Sequence, residues 1–283
     1  MPADDWRAFA SPEWPAFAGA DWLARVMTVE VPDRHHAKQG RSIGRWTLTA
    51  GDRRLVVYLK RHFELPRHHT WLARLFPSRT YSPGWREFEN LRWAAAQGLP
   101  VPTVHAAGES RRGPLQSFLA VEDLGGMLAL HELIPLAAGR LTPHDFEAWK
   151  RGLVVELARL TRELHRRRAF HQDLYLCHFY ACVSDIDVTP ADWRGRVIAI
   201  DFHRLLRSPV FARRFQVKDL AQLLFSTDGV IGVTLRDILR FERAYRRAAG
   251  PDWPPPPAAL RRLVRWKAAQ YLRHNRKLAG DLP

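Results

Sequence analysis

Four side chains in this sequence could together move a phosphoryl group. The stretch Phe170–Ala181, FHQDLYLCHFYA, sets His171, Asp173 and His178 within one short loop, and VIAIDFHR carries a β-branched run into Asp201. Upstream, LVVYLK brings another run to Lys60, and WREFENLRW carries Glu87. Phosphoryl transfer is mostly positioning and charge neutralisation. A lysine reaches the phosphates and a carboxylate holds that lysine. A second carboxylate orients the attacking hydroxyl, and a third holds a metal ion. Lys60, Glu87, Asp173 and Asp201 offer one candidate for each task, with Glu89 an alternative to Glu87. Singly, each has a plainer reading: a solvated strand lysine, a helix-surface charge, a turn aspartate, a strand-end aspartate. Their order along the chain, each on a suitable element, sets them apart.

Those roles require a strand under Lys60, a helix under Glu87, and a loop and a strand under the two aspartates. VMTVEV, RWTLTA and RRLVVYLKR are β-branched runs, the last two joined by Ala50-Gly51-Asp52, and predict an antiparallel sheet. Residues 1–28, rich in Trp, read as a helical or irregular lead-in, and residues 61–82 as an irregular insertion. WREFENLRWAAAQGL predicts a helix, with Trp85, Phe88, Leu91 and Ala95 at steps of three and four and Gly98 as its stop. Two more strands follow, LPVPTVHAAGE and QSFLAVEDL, the second ending at Gly125-Gly126. Beyond them the pattern is helical, with Leu153, Leu157, Leu160 and Leu164 on one stripe, RVIAIDF as a strand, PDWPPPP as a break and a basic final helix. The expected fold class is α+β and bilobal. Residues 1–24 form an extension, 25–124 a small antiparallel sheet with one main helix, and 125–283 a larger helical lobe.

At 283 residues and 46% apolar content the chain can bury a substantial core. No run approaches the roughly 18–20 apolar residues that cross a bilayer, and MPADDWRAFASPEW lacks the features of a secretory signal. A cytoplasmic location is therefore expected. Cys177 and Cys182, five residues apart, read as buried free thiols rather than a zinc site. A net charge of +15 predicts attraction to polyanions without choosing among them. Basic residues are spread along the chain with no aromatic RNA-binding motif, so nucleic acid is an unlikely partner.

HQDLYLCH follows the protein-kinase pattern H-R-D-L-x-x-x-N, with Asp173 at the catalytic-base position and His178 in place of the asparagine. Asp201 stands where that pattern's metal-binding aspartate belongs, with His203 in place of a glycine. Asp219, in VKDLAQLL, matches an aspartate that braces the catalytic loop of kinase-like folds. Together HQDLYLCHFY, IDFHR and KDLAQLLFS resemble the lipopolysaccharide core kinase family, the heptose and Kdo kinases, whose Tyr-x-Cys-His-Phe segment is matched by Tyr175, Cys177, His178 and Phe179. The resemblance covers about residues 28–245, most sharply from the loop onward.

The resemblance implies a protein-kinase-like fold and an ATP-dependent enzyme acting on a sugar hydroxyl of the lipopolysaccharide inner core. It implies that Lys60, paired with Glu87, contacts the phosphates, that Asp173 is the base and that Asp201 holds Mg²⁺. The adenine would lie near Glu122 and Leu124. KQGRSIG lacks a full glycine-rich pattern, so Gly40 and Ser42, with Lys38 or Arg41, would cover the phosphates. His178 has three readings: contact to a phosphate or substrate, loss of one metal site, or ordering of the loop. Only about seventeen residues separate Asp201 from Asp219, which argues against a phosphorylated activation loop. An anionic, membrane-attached acceptor implies peripheral contact with the inner membrane. Leu260, Leu263, Val264 and Trp266, set among arginines, place the last helix either at that membrane or packed on the second lobe with a solvated basic face. Other readings with the same residues are a kinase for another small molecule or a protein hydroxyl, and a pseudokinase binding module.

Overall fold

Lys60 sits in the longest hairpin among the described residues. β2 and β3 are the ten-residue strands Arg41–Ala50 and Arg53–His62, closed by Gly51 at φ +60°, a conformation only glycine adopts without strain. This computed structural model describes residues 5–31, 40–65, 82–110, 115–247 and 257–280. Lys38, most of the 61–82 insertion and the proline-rich break before the last helix lie outside them. The chain divides into two compact units, Met1–Gly125 and Gly126–Pro283.

The first unit is an antiparallel sheet in the order β1-β4-β5-β3-β2, where β1 is Trp6–Ala10, β4 Val104–Ser110 and β5 Gln116–Glu122. One face is covered by two short helices, α1 (Trp14–Ala18) and α2 (Trp22–Arg25), around a core of Trp14, Val26, Trp46, Leu48, Val57, Leu59 and Phe118. Phe88, on helix α3 (Pro83–Ala96), meets Phe9 of β1 at 4.8 Å between ring centroids. Ser82 caps α3 by accepting the Trp85 N–H, and Gly98 at φ +71° follows its end.

The structure corrects the sequence reading of the N-terminal segment. Helices α1 and α2 bear out the helical part of that reading, but residues 5–28 are no mere lead-in: β1 pairs with β4 from Trp6↔Ser110 to Ala10↔Ala106, and Trp14 is fully buried. VMTVEV forms no strand. The N–H groups of Val26, Thr28 and Val29 bond back to Trp22 and Arg25, and the buried Arg61 guanidinium takes the carbonyls of Val26 and Val29. With those groups engaged, little remains for a ladder. On α3 the buried alanine is Ala94, and Ala95 is exposed.

The second unit is mainly helical: α4 (Leu130–Arg140), α5 (Pro143–Arg166), α7 (Ala212–Phe225), α8 (Leu235–Arg247) and α9 (Ala258–Gly280), with the short α6 (Asp185–Val188) between α5 and α7. The leucine stripe of α5 is buried throughout, and buried Lys150 is held by Asp237 at 2.9 Å and by the Gly232 carbonyl at 2.7 Å. Two small sheets complete it, β6-β8-β9 (Met127–Ala129, Phe179–Cys182, Ile198–Ala199) and β7-β10 (Ala169–Phe170, Leu206–Arg207). RVIAIDF is thus a strand over two residues only. Cys177 and Cys182 are free and only partly buried. Helix α9 turns Leu260 and Ala268 inward and sets the Tyr271 ring 5.9 Å from that of Phe225 of α7, while Leu263 and Trp266 are exposed. No helix among the described residues is long and apolar enough to cross a membrane.

Because Trp14 fills the core of the first unit, replacing it with alanine should cost about 3–5 kcal/mol in denaturant unfolding. A dispensable lead-in would tolerate the change.

Candidate active site

Strand alternation sorts the side chains of β3. Leu59 joins the core under α1 and α2, and Arg61, two residues on, bonds the segment that follows α2. Lys60 therefore points to the opposite face, where its Nζ donates to Oε1 of Glu87 at 2.7 Å, with both side chains largely buried. Glu89 is engaged elsewhere, accepting the Trp85 indole N–H at 2.9 Å.

The same alternation corrects one assignment. Ser42 pairs with Arg61 in register, is fully buried, and accepts both Nε and Nη2 of that arginine at 3.1 and 2.8 Å. It lies on the sheet face away from Lys60, so the two side chains cannot meet the same ligand. Gly40 precedes β2 at φ +56°, and its carbonyl accepts the Phe63 N–H. At the end of β5, Glu122 accepts the Thr103 N–H through Oε2. Asp123 accepts Arg45 Nε at 2.8 Å, and Leu124 is half-buried.

In the second unit the loop after β7 is held from beneath by one buried carboxylate. Asp219 Oδ2 accepts the His171 backbone N–H at 2.8 Å, and Oδ1 accepts the Gln172 N–H at 2.9 Å. His165 donates Nε2–H to Oδ2 at 3.2 Å, and its Nδ1 accepts from the Tyr245 hydroxyl at 2.7 Å. Burial pushes that phenol up to about 12, so it remains a donor. These bonds hold Gln172 at φ +70°, a costly conformation for a residue with a side chain. Lys218 adds a bond from Nζ to the Gln172 carbonyl, and Gln222 and Ser226 accept the Leu174 and Leu176 N–H groups.

Asp173 emerges from this loop with its carboxylate partly exposed, Oδ1 accepting Arg204 Nη1 at 3.1 Å. His178 donates Nδ1–H to the Asp173 backbone carbonyl at 2.7 Å and turns Nε2 toward Asp201 Oδ2 at 3.7 Å. His203 donates Nδ1–H to Asp201 Oδ1 at 2.8 Å. Asp201 itself is left-handed at φ +66° and leads into the turn Phe202–Arg204, which is why the strand before it stops short. The ring of His171 stacks on that of His178 with centroids 5.7 Å apart. Their protonation diverges. Burial holds the His171 imidazole below its ordinary value. Burial also opposes charge on His178, but Cys177, the Asp173 carbonyl and Asp201 outweigh it and raise its pKa.

Magnesium is commonly held by one or two carboxylates plus phosphate oxygens and water. Asp201 is a carboxylate of that kind, only partly buried and placed just after the short strand β9. His178, bonded through Nδ1 to a carbonyl, orders the loop in this arrangement. Reading the sequence alone missed Arg204, Lys218, Gln222 and Ser226. Only the arginine directly after IDFH and the residues one and two turns beyond Lys218-Asp219 marked them.

Comparison with known proteins places these features in context. The family model described as "Lipopolysaccharide kinase (Kdo/WaaP) family" matches residues 37–245. The chain is 35% identical over 199 residues to the lipopolysaccharide core heptose(I) kinase WaaP of Pseudomonas aeruginosa, covering 70% of this chain and 71% of that one. It is 34% identical over 162 residues to the protein of the same name from Escherichia coli K12, covering 56% and 58%. A solved structure of WaaP in complex with acyl carrier protein matches 98% of this chain and 100% of its own, with a TM-score of 0.63 and 26% identity.

Two outcomes follow from the loop's geometry. Asp219→Asn sets an amide NH₂ against a buried donor and should cost about 1–3 kcal/mol, with faster hydrogen exchange at the His171 and Gln172 amides. The raised pKa of His178 gives stability that is complete below the ordinary histidine value, about 6.5, and is lost as pH rises through the raised value. The melting-temperature advantage of the native protein over His178→Asn, measured without nucleotide, should therefore shrink on moving from mildly acid to alkaline buffer.

Proposed function

The chain belongs to the lipopolysaccharide kinase (Kdo/WaaP) family, and from that premise we propose that it transfers the γ-phosphate of ATP to a heptose hydroxyl of the lipopolysaccharide inner core. The observation that carries this reading is the braced loop that presents Asp173 within the family-matched segment.

Asp173 orients the acceptor hydroxyl and takes its proton as the new O–P bond forms and the bond from the γ-phosphorus to the ADP oxygen breaks. Lys60, fixed by Glu87, sets its positive charge against the nucleotide phosphates, with Gly40 as the candidate for close backbone approach to them. Glu122 and Leu124 are the candidates for the adenine edge. Asp201 holds Mg²⁺, which when bound neutralises charge developing on the phosphate oxygens. His178 keeps the Asp173 carbonyl in place and so sets the angle at which the base emerges. Arg204 neutralises the Asp173 carboxylate until an acceptor arrives, and its exposed guanidinium suits a neighbouring anionic group on the sugar.

A net charge of +15 supports an anionic, lipid-linked acceptor reached from the inner face of the membrane. It also supports an acidic protein as a second partner, such as the acyl carrier protein in the solved relative's complex.

With purified core oligosaccharide and radiolabelled ATP, Asp173→Asn should lower turnover by about 10²–10⁴-fold while leaving the melting profile intact. Undiminished transfer by the variant would remove Asp173 from the mechanism. Native protein inactive on every heptose-containing core would overturn the substrate.

A further inference from the structure

A groove of about 1,040 Å³ runs along the second unit between α5, the 190–194 loop and α8. Seven arginines line it against two carboxylates, Glu156 and Asp192. The carboxylates offset only part of that charge. Glu156 is buried and accepts two N–H groups of Arg159 at 2.7 and 2.8 Å, while Asp192 Oδ1 accepts the backbone N–H of Arg194 at 2.9 Å. Arg240 is likewise committed, to Asp237 at 2.7 Å. The other five, Arg151, Arg194, Arg236, Arg243 and Arg247, are exposed and make no ion pair or side-chain hydrogen bond among the described residues.

The arrangement is built by helix periodicity. Arg236, Arg240, Arg243 and Arg247 recur along one face of α8, and Arg151 and Arg159 along one face of α5. Like charges at such spacing repel, and among the described residues none of these five has an ion-pair partner. A bound anion would supply one. Guanidinium groups bind phosphate oxygens in pairs. Exposed Val155 and Leu239 stand among these arginines, as they would at a boundary between headgroups and acyl chains. Helix α9 is a poorer candidate, because Arg261 and Arg265 already face Glu242 at 3.8 and 3.6 Å.

We propose that this groove docks the protein on anionic phospholipid headgroups of the bilayer, a reading that rests on the lipid-linked acceptor proposed above. None of its lining residues belongs to the loop that carries Asp173, so docking and phosphate transfer can be separated by experiment.

The test is co-sedimentation with phosphatidylcholine vesicles with and without phosphatidylglycerol. Arg236→Gln combined with Arg243→Gln should weaken binding to the anionic vesicles by roughly 30-fold, about fivefold for each charge removed. A charge-matched control on α9, Arg262→Gln with Arg273→Gln, should leave most of that binding in place. Inorganic phosphate at equal ionic strength should not displace the protein. Transfer to a water-soluble, deacylated core oligosaccharide should be equal in the groove variant and the native protein, and only transfer to acceptor embedded in vesicles should fall. Equal losses in the two double variants would overturn the proposal by showing a delocalised charge effect. So would unchanged vesicle binding in the groove variant, displacement by phosphate alone, or loss of binding to DNA or an acidic protein in place of vesicles. If the native protein transfers phosphate to neither acceptor, the kinase reading fails, and the sedimentation result still decides the groove.

Discussion

A buried carboxylate that no substrate need touch sets the geometry of the catalytic loop. Asp219 has lost its water and must be compensated, and the compensation comes from two successive backbone N–H groups, those of His171 and Gln172. Successive amides point the same way only if the chain between them turns sharply. The carboxylate therefore dictates the left-handed conformation of Gln172, and with it the direction in which the next residue, Asp173, leaves the loop. Tyr245 and His165 extend the constraint inward, linking α8 to α5 and α5 to α7 through hydrogen bonds with one consistent set of donors. Disturbing the packing of those helices would thus be felt at Asp173, even though none of them carries it.

The first unit obeys a different constraint, the two-residue period of a strand. Lys60 and Arg61 are adjacent cations with opposite duties because they occupy opposite faces. Lys60 meets the glutamate of α3, whereas Arg61 is consumed in tying Ser42 to the turn after α2. A shift of register by one residue would exchange these roles and bury the lysine under α1 and α2. The long hairpin and its glycine turn keep that register, so the placement of Lys60 depends on ten paired residues rather than on its own contacts.

Much of this was legible in the sequence, for identifiable reasons. Helix stripes are local, so α3 and α5 could be read from spacing, and Lys60, Glu87, Asp173, Asp201 and Asp219 stood out by order and residue type. Strand β1 could not be read, because its partner Ser110 lies about a hundred residues away and its own composition is not β-rich. VMTVEV misled for the opposite reason: strong β propensity was overridden by helical turns and a buried arginine. Ser42 looked like a loop residue only because the start of β2 was hidden behind glycines. Arg204 was concealed because an arginine beside a motif carries no period at all.

His178 shows how one substitution in a familiar pattern is absorbed. An asparagine offers an amide oxygen to a hard cation, whereas imidazole offers a nitrogen that magnesium binds poorly. Here the ring's donor nitrogen is spent on the Asp173 carbonyl, and its other nitrogen faces Asp201. A cation held at Asp201, as proposed, would meet that carboxylate flanked by the rings of His178 and His203. Such a site would rely on phosphate oxygens and water to complete the coordination of a magnesium ion. The stacked, buried His171 has its pKa lowered by burial, opposite in direction to that of His178. The loop thus ties the position of Asp173 to the orientation of one imidazole.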